Sequence, residues 1–183
     1  MKILKAITLI VSATIISACS IQAPPYQPSL ENVQQLKTSQ LPPMKVGKFG
    51  GKESTSSISL RGTQMSSPLG KSYGLYLNNA LEQELKLANL WSGVSNIVVS
   101  GEILNNDINV AGFSTGTGEM SVEFIITKKD DEIFKKIINS NITFDSSFVG
   151  AIAIPNGQAN YANLVQSIII KLVNDEQFLN SLK

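Results

Sequence analysis

The sequence has no histidine and a single cysteine, and each scarcity excludes chemistry. Without imidazole there is no Ser–His–Asp or Cys–His couple and no histidine-ligated metal. Ser-x-x-Lys, the local signature of a serine–lysine acyl-transfer site, occurs nowhere. One cysteine cannot form an intrachain disulfide, so no disulfide framework holds the fold. Charge is almost balanced, with 15 basic against 14 acidic side chains. That balance argues against a nucleic-acid binder and against a polybasic membrane patch, both of which need a cationic excess.

The one cysteine stands at a junction. Lys2 and Lys5 precede an apolar run from Ile7 to Ala18, too short to span a bilayer and suited to the core of a secretory signal. Ser17 and Ala18 supply the small side chains a cleavage site needs, and Cys19 follows. The order Ile16-Ser17-Ala18-Cys19 resembles the lipobox of bacterial lipoprotein precursors. The resemblance implies a diacylglyceryl group on the Cys19 sulfur, cleavage between Ala18 and Cys19, and an acyl chain on the new amino terminus. No other cofactor is implied. Ser20, in place of an aspartate, implies by the same resemblance the outer membrane, with the domain in the periplasm. Removing 18 residues from 183 leaves 165, and loss of the two leader lysines leaves 13 basic and 14 acidic groups, a net charge of −1. That length suffices for one domain with its own core.

Three segments are expected: a signal peptide over 1–18, a lipidated cysteine with a flexible tether over 19–44, and a globular domain over 45–183. The tether reading rests on Pro24-Pro25, Pro28 and Pro42-Pro43 among several glutamines, since proline removes donors and interrupts helices and central strands. As a coil it would span about 25–30 Å. Leu30 to Leu36 is left either as a helical turn or as a segment docked on the domain.

Within the domain, Lys45 to Phe49 alternates as a first strand, and Ser56 to Gly62 suggests a second. Tyr73, Leu77, Ala80, Leu81, Leu85 and Ala88 form one stripe at helical spacing, which predicts a helix over 73–91 with Ser67 as its cap. Asn96 to Val110 reads as a long strand with a bulge near Gly101, and Asn105-Asn106-Asp107 is either a hairpin turn or, the favoured reading, a polar interruption within that strand. Gly112 to Gly118 lacks the ending of a phosphate loop and is expected to be a hairpin loop. Met120, Val122, Phe124 and Ile126 alternate, Lys128 to Asp131 turns, and Phe134 to Phe144 returns, giving an antiparallel hairpin. Tyr161, Leu164, Val165, Ile168 and Leu172 mark a second amphipathic helix capped near Asn160. Between hairpin and helix, Phe148 to Ile154 is uncharged. It is either a buried connection or an exposed apolar lip in which Phe148, Gly150, Ile152 and Ile154 meet a ligand or partner.

The order of elements predicts an α+β fold: a mostly antiparallel sheet of four to five strands with two amphipathic helices on one face. That order is similar to the YajG, CsgG and LpoB groups of envelope lipoproteins at the level of topology alone, and no site residue carries over. No catalytic or metal-ligating residue is singled out. Glu102, Asp107, Glu119 and Glu123 are the carboxylates placed to pair for glycoside hydrolysis, and acids on strands usually form a solvated face. The chain is therefore expected to be a non-enzymatic envelope accessory. Its partners would be membrane lipid through Cys19 and an envelope protein at the sheet. A hydrophobic-ligand binder with a pocket behind the 148–154 lip is the alternative, and a carboxylate hydrolase the third.

Overall fold

The computed structural model describes residues 20–52 and 55–183. The expected signal peptide and Cys19 lie outside the described residues. The elements run β1 (Ser20–Gln22), α1 (Leu30–Thr38), β2 (Lys45–Gly51), β3 (Ile58–Leu60), β4 (Thr63–Ser66), α2 (Tyr73–Leu87), β5 (Ile97–Asn109), β6 (Thr115–Lys128), β7 (Asp131–Asp145), α3 (Gly150–Val173) and α4 (Glu176–Ser181). This is an α+β fold. A four-stranded sheet of order β2-β5-β6-β7 carries the long helices α2 and α3 on one face, and a three-stranded sheet of order β1-β4-β3 closes one end.

The hairpin of β6 and β7 forms as its alternation predicts. Met120, Val122, Phe124 and Ile126 are buried, facing Phe134, Ile138 and Phe144 from the returning strand. Lys129 and Asp130 adopt φ values of 53° and 70° between the paired residues Lys128 and Asp131, the conformation a tight two-residue hairpin requires. β5 runs unbroken through Asn105-Asn106-Asp107, but its irregularity falls between Ile103 and Asn105 rather than at Gly101. The extra residue reverses which parity faces inward. Ile97, Val99 and Ile103 are buried before it, and Asn106, Ile108 and Val110 after it. Gly116 and Gly118, expected in a loop, belong to β6; a side chain at either would strike the Phe144 ring or Ile108 and Ile142.

The expected tether is folded. Ser20, Ile21 and Gln22 pair in parallel with Gln64, Met65 and Ser66. Ala23, Tyr26, Val33, Leu36, Leu41 and Met44 are buried in the common core. The prolines interrupt regular structure without freeing the chain, because the apolar residues between them have a surface to cover. Ser29 caps α1 through the Asn32 amide. The strand expected over 56–62 is present but shorter: β3 covers Ile58–Leu60, and the chain turns at Arg61-Gly62 and returns as β4.

Both long helices differ from the expected limits. α2 is capped by Ser72, not Ser67, and ends at Leu87. α3 begins ten residues before Asn160 and takes in Pro155. Position 157 within α3 has to be glycine, because a Cβ there would collide with Val110 and crowd Ile108 and Leu60. Gly74 in α2 has the same function. Its missing side chain lets the helix rest on the Phe49 carbonyl of β2. Alanine is the better helix former by about 1 kcal/mol, but Gly74→Ala is expected to destabilise the protein by roughly 2–4 kcal/mol, because backbone cannot yield as a side chain can. Chemical denaturation of the two proteins checks the sign.

Candidate functional site

The sequence holds one arginine. Arg61 sits at the β3–β4 turn with φ of 51°, beside Gly62 at 86°. Left-handed backbone costs a side-chain-bearing residue roughly 1–2 kcal/mol, and here it aims the guanidinium across the end of the molecule. Nε donates to the Val110 carbonyl at 3.0 Å, Nη1 to Phe148 at 2.6 Å, and Nη2 to Ser147 at 2.9 Å, with a longer contact to Gly112 at 3.5 Å. A planar fork of five donors suits such a cluster of carbonyls, and an ammonium would not. Arg61 thereby binds together the β5–β6 loop (residues 110–114) and the β7–α3 connection (residues 146–149). The amide of Ser146 donates to Ser114, tying the loops a second time.

On these loops lies an apolar surface. Phe113 and Phe148, 79% and 69% exposed, stack with ring centres 5.3 Å apart and planes 15° apart. Val149 and Ile152 extend the patch, each about half exposed. Of the four residues predicted for a lip, Phe148 and Ile152 are on this surface, Gly150 is half-buried beside Arg61, and Ile154 packs partly against the core. The segment is not a buried connection; it is the exposed first turn of α3 and its approach. Clefts of about 290 and 240 Å³ are lined by other residues, the first by Pro25, Tyr26, Leu69 and Tyr76 and the second by Ser29, Asn32 and Gln166. Phe113 and Arg61 escaped the sequence reading. A lone phenylalanine in a glycine-rich loop and a solitary arginine before a glycine were the available signals.

The four candidate carboxylates do meet, but on the open face of the sheet. Glu102 lies opposite Glu123 and Asp107 opposite Glu119 in the β5–β6 register. Asp107 and Glu119 are exposed, and Glu123 pairs with Lys135 at 3.3 Å. They form a strip on the face of the sheet that points away from the buried side chains, half-buried at Glu102 and Glu123 and exposed at Asp107 and Glu119. Among the described residues no group of three or more acidic or thiol ligands could hold a metal ion, and no helix is long and apolar enough to cross a membrane.

A separate polar cluster sits within the core. Glu84 of α2 is fully buried, and its Oε1 accepts from the Tyr26 hydroxyl, the Asn32 side-chain amide at 3.0 Å and the Ser29 amide at 3.2 Å. Burial pushes its carboxyl above the usual range, against hydrogen bonds that pull it down. Tyr26 also begins a row of rings, Tyr26–Tyr76–Tyr161–Tyr73, that uses all four tyrosines of the chain. Tyr76 donates to the Pro24 carbonyl and Tyr73 to that of Met65. Burial pushes these phenols up, Tyr161 among them. The cluster fastens residues 20–36 to the helices. Glu84 lines neither of the two clefts, so it serves as a brace.

No family model matches the chain, and no curated protein matches its sequence. Among solved structures, the chain is similar to a protein of the DUF330 family from Xanthomonas campestris, with a TM-score of 0.58 at 9% identity over 88% of this chain and 96% of that one. An uncharacterised protein aligns with a TM-score of 0.51 at 12% identity, covering 83% and 96%. A candidate lipoprotein from Caulobacter crescentus follows at 0.46, 13% identity and coverage of 78% and 90%, too distant to bear on fold or function. At such identities the likeness is one of fold. It gives the α+β arrangement a counterpart spanning nearly the whole of another chain, while the similarity to YajG, CsgG and LpoB rests on element order alone.

Proposed function

We propose that the chain is the precursor of a bacterial envelope lipoprotein, held by acyl chains on Cys19 and acting as a non-enzymatic accessory. The observation that carries this reading is the join between leader and fold: aliphatic, small, small and cysteine run directly into β1, whose first residue is Ser20. Several acyl chains hold a protein firmly where one chain binds reversibly. Ser20 favours the outer membrane by resemblance, with the domain on the periplasmic side. The helices cover one face of the four-stranded sheet, and the other face, with the 15-residue edge strand β7, is available for an envelope protein partner.

Mass spectrometry of the mature protein purified from membranes tests this. The expected species begins at Cys19 and carries a diacylglyceryl group and an amide-linked acyl chain. A species with residues 1–18 intact, or with a free thiol at Cys19, overturns the reading.

A further inference from the structure

We infer that the apolar end built on Arg61 is a second membrane contact: Phe113, Phe148, Val149 and Ile152 seat on the same leaflet that receives the Cys19 acyl chains. This rests on the lipoprotein reading above and gives it an orientation.

Strand direction carries the inference. β1 runs parallel to β4 with Ser20 opposite Gln64, and β4 starts two residues past Arg61. Followed backward from Ser20, β1 therefore heads toward the Arg61-Gly62 turn, the end that bears the patch. The side contacts of β1 agree. Gln158 donates to the Gln22 carbonyl and Gln166 to that of Gln27, so α3 and the amino-terminal segment rise together from this end. Gly150, at the start of α3, lies below both contacts, and Phe148 and Val149 precede it. Cys19 is one peptide bond from Ser20. With no tether, the domain cannot stand off from its anchor.

The composition of the end fits a lipid interface. From Ser146 to Ile170 the sequence has no charged residue, and none from Ile108 to Gly118. A loop pressed against lipid needs its backbone groups satisfied internally. Arg61 provides donors to carbonyls of both loops, while Asn109 Oδ1 accepts from Ala111 and Ser147 Oγ from Val149. Stacked aromatic rings are well suited to the headgroup level. The opposite end carries the Lys128-to-Asp131 turn at the far end of the 14-residue β6, about 45 Å away at the usual rise per residue.

The test uses the acylated mature protein, in which the Cys19 thiol is blocked, so one introduced cysteine is the only reactive thiol. Ala151→Cys places an environment-sensitive fluorophore on an exposed position within the patch and leaves its apolar side chains in place. Val94→Cys, at a position 92% exposed before β5 near the far end, is the control. Both proteins are reconstituted into vesicles of phosphatidylethanolamine and phosphatidylglycerol, with and without a nitroxide-labelled lipid. The expected result is blue-shifted emission at 151 that the nitroxide lipid quenches, and neither effect at 94. If Cys19 is acylated and both labels report water, the inference fails and the anchor reading stands. A label at 151 that is shielded but unquenched means that protein covers the patch, which also overturns it. Absence of acyl chains on the purified chain is the separate failure of the underlying reading.

Discussion

Cys19→Ser, placed behind a leader that an ordinary signal peptidase removes, is expected to move the protein almost wholly from the membrane pellet to the soluble fraction. Each buried methylene contributes about 0.8 kcal/mol to anchoring, so several acyl chains outweigh any contact made by four apolar side chains. Those side chains can give only reversible binding, which dilution and washing remove. Folding should be unaffected, because the segment after position 19 is held by the domain itself: β1 pairs with β4, and Ala23, Tyr26, Val33 and Leu36 are in the core. The measurement is fractionation with a high-salt wash, paired with the circular dichroism of the released protein. Retention of the Cys19→Ser variant in the pellet after that wash would show that acylation is not the anchor.

The second large effect concerns the brace. Glu84→Ala is expected to lose about 3 kcal/mol, because the Tyr26 hydroxyl and the Ser29 amide lose their acceptor inside the core. For a chain of this length that corresponds to a fall in Tm of about 6–12 °C. Glu84→Gln retains an acceptor oxygen and should keep the fold. The two substitutions separate on pH. Burial raises the Glu84 carboxyl in the folded protein, so above its unfolded value, near 4.3, the folded state binds more protons than the unfolded state. Stability contributed by this group is therefore greatest at low pH and declines as pH rises toward the folded value. Thermal unfolding of wild type and Glu84→Gln at stepped pH should show that decline in the wild type alone. Equal slopes in both proteins would assign the pH dependence to other groups.

Much of this could be read from residue order. The β6–β7 hairpin follows from alternation between Met120 and Phe144, and α2 from its stripe of Tyr73, Leu77, Ala80, Leu81 and Leu85. Where the reading relied on punctuation residues, it misplaced the limits of regular structure. The prolines between 24 and 43 suggested a loose tether, and the glycines between 112 and 118 a loop, yet residues 20–44 are folded and Gly116 and Gly118 belong to β6. A proline or glycine states what the backbone cannot easily do locally, not whether a neighbouring surface will hold it. Tyr26 and Gly157 meet such surfaces in residues more than 40 positions away.

Sequence by itself determined the α+β class, the long strands and helices, and the candidate acylation position, because each depends on local spacing. Tertiary structure decided that residues 20–44 belong to the domain, that Arg61 gathers two loops, and that Phe113 meets Phe148. Strand pairing and carbonyl clustering join residues distant in the chain, and only the folded backbone brings them within hydrogen-bonding distance. The same pairing directs β1 toward the apolar end, a relation no reading of adjacent residues contains.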